Sequence, residues 1–368
     1  MRLHVNQRHA RVLELVRARG SLRMTELAEA LGVSAVTVRR DVEALAGEGR
    51  LLRAHGAVTW PGEGGLLAGA APSAPPAAPQ DGMVLGMVVP SMEHYFAELA
   101  HGAREAVAAR GGRLVLGISN YLPGQDPVQV GLLLDAGAQG LLLQPSWERG
   151  LPTAEQERQL LDLPVPAVLM ERRIPPGGRL SELDGVRSDH VLGGAAAVHH
   201  LADLGRERVA LLVRKDSPTA PLVQEGYEAA LTARGLTPSP PLEMHPAADP
   251  AGYDDAVARL TRRQDVEAVI VHNDQDAIAV AQRLRAAGLR IPEDMAMVAY
   301  EDELARMADV PLTAVAPPRR AVGRMAAELL TARLPQGRAA AEEDSPRRHV
   351  ALLPRLRVRE STVGRADH

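Results

Sequence analysis

Apolar and polar positions repeat along this chain with two different periods, separated by a stretch that has neither. Near the N-terminus, Val12, Leu13 and Val16 form one helical stripe, and Leu27, Ala28 and Leu31 form a second within 24–31. A third runs through VSAVTVRRDVEAL at 33–45, where Val38, Val42 and Leu45 share one face at about 100° per residue. Val36 and Arg40 point the opposite way with Thr37 and Arg39 on the flanks, and Ser34 is placed to cap the helix N-terminus. A helix, a short turn and a helix with a cationic outer face predict a helix-turn-helix whose last helix enters the DNA major groove. Residues 49–57 then alternate, with glycine near both ends, as a β-wing would.

Residues 59–82 carry no period. Sixteen of these 24 residues are Ala, Pro or Gly, which predicts a linker partly stiffened by its five prolines. As a coil it would span about 25–30 Å root-mean-square. From Met83 onward, short apolar runs at 84–89, 114–118, 140–143, 167–170, 209–213, 268–271 and 295–299 read as strands. Helical stretches at 96–110, 192–204, 224–234 and 277–287 lie between them. This predicts an α/β fold, a doubly wound parallel-sheet arrangement long enough for two lobes.

Charge separates the same regions. Residues 1–58 hold ten Arg, no Lys and six acids, a net of +4. The whole chain is −4, so the remaining 310 residues carry −8. A basic head on an acidic body locates the phosphate-binding surface in the head. The chain has no cysteine, which excludes disulfides and thiolate chemistry. No apolar run is long enough to span a bilayer and no leader is evident, so a cytoplasmic, nucleoid-associated protein is expected. No cofactor or metal is expected either: the adjacent His199 and His200 diverge on a helix and cannot chelate one ion well.

In doubly wound sheets, ligands bind beyond the carboxyl ends of the strands. Those positions here are polar: Tyr95-Phe96, Ser119-Asn120-Tyr121, Gln144 with Trp147, Glu171-Arg172, Lys215-Asp216, Asn273-Asp274 and Glu301-Asp302. Four of the chain's eight aromatics, Tyr95, Phe96, Tyr121 and Trp147, are among them, where sugar rings or bases could stack. Asp274 suits a helix cap as well as a ligand contact.

Residues 8–58, and above all TVRRDVEALAGEGRLLRAHGAV, resemble the DNA-binding domain of the DeoR family. From 83 to 363 the chain resembles the ligand-sensing domain of the LacI/GalR repressors, which is similar to periplasmic sugar-binding proteins. The segments that carry this include GMVVPSMEHYFAELAHG, LADLGRERVALL, QEGYEAAL, VIVHNDQDAIAVAQRLRAAGLRIPEDMAMVAYED and PLTAVAPPRRAVGRMAAELL. Together they imply a winged helix-turn-helix over 1–58, a linker over 59–82 and a two-lobed sensor over 83–368. The first lobe would hold about 83–187 and 318–347, the second about 188–317 and 348–363.

The resemblance implies roles for individual residues. Ser34, Val36, Thr37, Arg39, Arg40, Arg53 and His55 would form the DNA surface. Val36, Thr37 and Arg40 would read bases, with Arg39, Arg53 and His55 on phosphates. Tyr95 and Phe96, with Trp147, would stack on a sugar, while Glu171, Arg172, Asn273 and Glu301 bind its hydroxyls. Two departures matter: Val223 stands where the family usually has Arg, and Glu171 and Glu301 stand where Asp is usual. The cleft is thereby less cationic, which favours a neutral sugar or polyol over an anion. A homodimer on a two-fold double-stranded operator, acting as a repressor, is the expected assembly. The alternative is a sugar-active enzyme using Glu171 or Glu301 in general acid–base chemistry. No nucleophile elbow, metal cluster or phosphate loop accompanies those carboxylates.

Overall fold

The computed structural model describes 82–364 except 92–93, 123, 148–149, 176, 215–216, 245–250, 263–264 and 335–345. In the N-terminal region it describes 12–13, 15–16, 21–31, 33, 37–38, 41–42, 45, 52–54 and 57–59. Nearly all of the expected linker lies outside the described residues. The chain divides into two units, 1–80 and 81–368.

In the first unit, β1 (Ser21–Arg23) leads directly into α1 (Met24–Leu31), and β2 (Leu52–Ala54) pairs with β3 (Ala57–Thr59). The three strands form an antiparallel sheet with β3 in the middle. Residues 12, 13, 15 and 16 are helical, as are 37, 38, 41, 42 and 45. One core joins these pieces: Val12, Leu13, Val16, Leu27, Leu31, Val38, Val42 and Leu45, with Leu22 and Val58 from the sheet. The helical members are the residues whose spacing turns them inward. At three residues, β1 is too short to show alternation in the sequence.

The second unit holds two six-stranded sheets. The first comprises β4 (Val84–Val89), β5 (Arg113–Ile118), β6 (Gly140–Leu143), β7 (Ala167–Met170), β8 (Asp184–Ser188) and β14 (His349–Leu352). These strands are all parallel, in the order β14-β8-β7-β6-β4-β5. The second comprises β9 (Val209–Arg214), β10 (Leu242–Met244), β11 (Ala268–Val271), β12 (Ala296–Tyr300), β13 (Thr313–Ala316) and β15 (Arg355–Arg357). Its order is β10-β9-β11-β12-β13-β15, antiparallel only at β13–β15. β4, β6, β7 and β11 are buried along their whole length, which is why they read as unbroken apolar runs.

The chain crosses between sheets after β8, returns after β13 and crosses again between β14 and β15. This corrects one boundary: His349–Leu352, expected in the second lobe with the rest of 348–363, pairs with β8 of the first sheet. Val350 and Leu352 pack against the first lobe's core there. Its neighbour Asp184 explains how a polar segment becomes a strand. Asp184 is buried and paired with Arg333, at 2.6 Å from Nε and 2.9 Å from Nη2, and it also accepts from the Arg348 backbone N–H at 2.7 Å.

Two helix pairs stack with their backbones in contact. α2 (His94–Ala108) lies on α9 (Arg319–Arg333), and α5 (His190–Asp203) on α6 (Ala220–Ala233). A Cβ on Gly102 would stand 1.9 Å from the Arg320 carbonyl oxygen, and one on Gly323 2.0 Å from that of Leu99. On the other pair, a Cβ on Gly226 would stand 1.8 Å from the Val191 oxygen, and one on Gly194 2.4 Å from that of Val223. Between the remaining strands run α3 (Gln125–Asp135), α4 (Ala154–Leu161), α7 (Ala251–Arg262) and α8 (Asp274–Ala286), with α10 (Glu360–Val363) near the end. Among the described residues no helix is long and apolar enough to cross a membrane.

Candidate ligand-binding cleft

Both sheets present their carboxyl ends to one cleft of about 710 Å³. Tyr95 and Phe96, in the first turn of α2, face it together with Tyr121 after β5, Gln144 after β6, and Glu171 and Arg172 after β7. His190 enters from the first residue of α5. Across the cleft stand Arg214 at the end of β9, Ser217 and Thr219 before α6, His272, Asn273 and Gln275 after β11, and Glu301 and Glu303 after β12. Six of the seven residues expected to bind a ligand therefore line one space: Tyr95, Phe96, Glu171, Arg172, Asn273 and Glu301.

Trp147 does not. It is 7 % exposed, packs with Leu133, Leu141, Leu143 and Leu169, and lines a separate cavity in the first lobe. Four residues past the end of β6, its indole has turned back into the lobe. The aromatic wall is built instead from Tyr95, Phe96 and Tyr121. Their rings meet edge to face, with centroids 5.3 Å apart for Tyr95–Phe96 and 6.1 Å for Phe96–Tyr121. Phe96 is largely buried and supports the other two, while Tyr121 is exposed.

Glu171 sits at φ +49, and its carboxylate is committed to the fold. It accepts from the Ser188 backbone N–H at 2.9 Å and from Ser188 Oγ at 2.8 Å, and lies 3.7 Å from His190 Nε2. Burial works to raise its pKa, but the bond and charge of His190 and the two Ser188 bonds outweigh it and hold the carboxyl below its ordinary value. His190 Nδ1 lies 3.1 Å from Tyr300 Oη, so the chain Ser188–Glu171–His190–Tyr300 runs from the first sheet to the second. Arg172 is anchored on carbonyl oxygens. Its Nε donates to Pro145 at 2.7 Å, Nη2 donates to the same oxygen, and Nη1 donates to Glu171 at 2.9 Å.

Asn273 is the N-cap of α8, with its side-chain oxygen accepting from Asp276 N–H at 3.1 Å. Asp274 is neither the cap nor part of the cleft lining, which corrects both roles expected of it. It is buried, and its Oδ2 accepts from the backbone N–H groups of Glu303, Leu304 and Ala305 at 2.6, 2.6 and 3.1 Å, which fixes the loop that carries Glu301. Glu301 itself has φ +94. Burial first, and then the charges of Glu303 and Asp274, push its carboxyl up to about 8 against the opposing pull of Arg319. Arg319 ties this side to the aromatic wall: it donates to the Glu301 carbonyl at 2.9 Å, pairs with Glu303, and lies 5.1 Å over the Tyr95 ring.

Arg214, His190, His272 and Glu303 were not among the expected site residues. Arg214, His272 and Glu303 follow strands that the sequence does show, so position alone could have found them; His190 follows β8, whose letters DGVRS carry no strand period. Val223, where the resemblance would place an Arg, is fully buried against α5 and is no part of the cleft.

The profile of the DeoR-like helix-turn-helix domain matches 8–63, and that of the periplasmic binding protein-like domain matches 198–362. The chain is a transcriptional regulator with a DeoR-type head and a LacI-type sensor. Among its relatives, the HTH-type transcriptional repressor PurR of Haemophilus influenzae is 27 % identical over 286 residues, 75 % of this chain and 80 % of that protein. The ribose operon repressor of Escherichia coli is 29 % identical over 258 residues, covering 68 % of this chain and 76 % of the repressor. The transcription regulator GntR of Chromobacterium violaceum has a similar structure, with TM-score 0.63, 28 % identity, and coverage of 76 % of this chain and 100 % of that one. A complex of the transcriptional regulator CelR with cellobiose matches at TM-score 0.63 and 25 % identity, over 89 % of this chain and 91 % of the other.

In the regulator's head, Thr37 is helical and half-buried and Arg53 lies in β2. Ser34, Val36, Arg39, Arg40 and His55 lie outside the described residues.

Proposed function

We infer that the regulator represses transcription from a two-fold DNA operator and is controlled by a neutral sugar or polyol bound in the cleft. The observation that carries the sensor half is the convergence of Tyr95, Glu171, Arg172, Asn273 and Glu301 from two sheets on one space. An aromatic wall faces hydrogen-bonding groups, which suits a ring with an apolar face and a polar edge. Neutrality is supported by the lining: Arg172 and Arg214 stand against Glu171 and Glu303, and the nitrogens of Arg172 already serve carbonyl oxygens. The ribose operon repressor and the CelR–cellobiose complex support a sugar in particular. Because the relatives are regulators, sensing is preferred over catalysis by Glu171 or Glu301.

On the DNA side, Val36, Thr37 and Arg40 read base edges, Arg39, Arg53 and His55 hold phosphates, and Ser34 caps the reading helix. The working form is a soluble, cytoplasmic homodimer. Support for it comes from Leu116 and Ile118 on the edge strand β5 and Leu122, Val128 and Leu132 beside it, all exposed. Calorimetric titration with ribose, cellobiose and related sugars tests the cleft. Arg172→Ala and Asn273→Ala are each expected to weaken the sugar that binds by about 1.5–3 kcal/mol. Wild-type affinity in both variants would remove the site.

A further inference from the structure

The cavity that takes Trp147 has a volume of about 280 Å³ and shares one lining residue, Gln144, with the cleft. Aliphatic side chains of β4, β6, α3 and α4 and the Trp147 indole make most of its wall. Two buried oxygens in that lining have no hydrogen-bond partner, Oδ1 of Asp126 and Oε1 of Gln144. Gln144 is only 4 % exposed. The other oxygen of Asp126 is accounted for, since Oδ2 accepts from the Ser146 backbone N–H at 2.7 Å. Buried acceptors left unpaired are costly, so a guest that donates to both is favoured. Asp126 and Glu155 line the cavity, and no Lys, Arg or His does. A carboxylate or phosphate would meet acceptors and negative charge; an ammonium group carries donors only.

We propose that this cavity is a second ligand site, built for a small primary amine with a compact apolar body. The ammonium group donates to Asp126 Oδ1 and Gln144 Oε1, and the body packs against Trp147. Through Gln144, its occupancy is felt at the edge of the cleft. The proposal does not depend on what the cleft binds.

The test uses the full chain with Trp60→Phe, which leaves Trp147 as the only tryptophan. Indole emission is followed during titration with 3-methylbutylamine, and a saturable change at roughly millimolar concentration is expected for a fragment of that size. 3-Methylbutan-1-ol, of the same shape without the charge, is expected to bind about tenfold more weakly. Asp126→Asn, which keeps an acceptor for Ser146, is expected to cost the amine about tenfold as well. Leu160→Phe, which fills the cavity from α4, is the independent variant, and the response should vanish in it. Asn273→Ala changes the cleft and the cap of α8, neither of which lines this cavity, and should leave the titration unchanged. The proposal is overturned by no saturable change up to about 50 mM amine, by equal binding of the alcohol, or by undiminished binding in Asp126→Asn or Leu160→Phe. Loss of binding in Asn273→Ala would place the amine in the cleft and overturn it too.

Discussion

Glu301→Gln isolates the most perturbed carboxyl of the cleft. The reference carboxyl titrates near 4.5, whereas burial and the neighbouring Glu303 and Asp274 bring Glu301 to about 8. Between these values the folded protein keeps a proton that the unfolded chain has released. Stability therefore falls as pH rises from about 4.5 to about 8, and the loss is complete above that range. At about 1.4 kcal/mol per tenfold in proton affinity, the gap sets an upper bound of about 5 kcal/mol. Glu301 is only part-buried and water in the cleft screens its charge, so about 2 kcal/mol is the expected size. Glutamine keeps the shape and cannot ionise. Thermal unfolding of both proteins at pH 5 and pH 9 measures the difference, because every other titrating group cancels between them. The wild type should lose about 4–8 °C more than the variant over that range. Parallel losses would show that Glu301 ionises like an exposed carboxyl, and the reasoning from burial would fall. The same shift has a functional side: near neutral pH most of the Glu301 carboxyl is protonated and can donate to a ligand oxygen.

Other consequences follow from the packing. Arg333→Ala leaves Asp184 buried and uncompensated, and should cost about 3–5 kcal/mol in urea unfolding, with Asp184→Asn in the same background recovering part of it. Gly226→Ala must push α6 away from the Val191 carbonyl and should destabilise by about 1–3 kcal/mol, whereas Gly131→Ala, with open space around it, should not. Ile118→Lys with Leu132→Glu should convert a dimer into a monomer in sedimentation at micromolar concentration while leaving sugar binding intact; an unchanged dimer would move the interface elsewhere.

Much of the fold was legible because its central strands are buried on both faces. VLGMVV, GLLL, AVLM and AVIV could hardly be anything else between turn signals. β8 was not legible, because DGVRS shows polar letters at buried positions. Its burial depends on Arg333, 149 residues further on, and no local pattern reports that pairing. Missing β8 also hid His190 and misplaced His349–Leu352, whose partner strand was unknown. In the cleft, Glu171, Arg172, Asn273 and Glu301 stand one or two residues past a strand, where the carboxyl end of a parallel strand fixes the direction of the side chain, whereas Tyr95 and Phe96 face the cleft from the first turn of α2. Trp147 lies further along its loop, and tertiary packing decided its direction.

The central claim is that occupancy of the cleft controls DNA binding. The direct measurement is fluorescence anisotropy of a labelled duplex from the regulator's own promoter region, with and without the sugar that binds in calorimetry, for wild type and Asn273→Ala. The account predicts that the sugar shifts the apparent Kd for DNA by about 5- to 150-fold in the wild type. It predicts that Asn273→Ala binds the same duplex with wild-type affinity and does not respond at that sugar concentration. A DNA affinity that stays constant while the sugar saturates the cleft would contradict it.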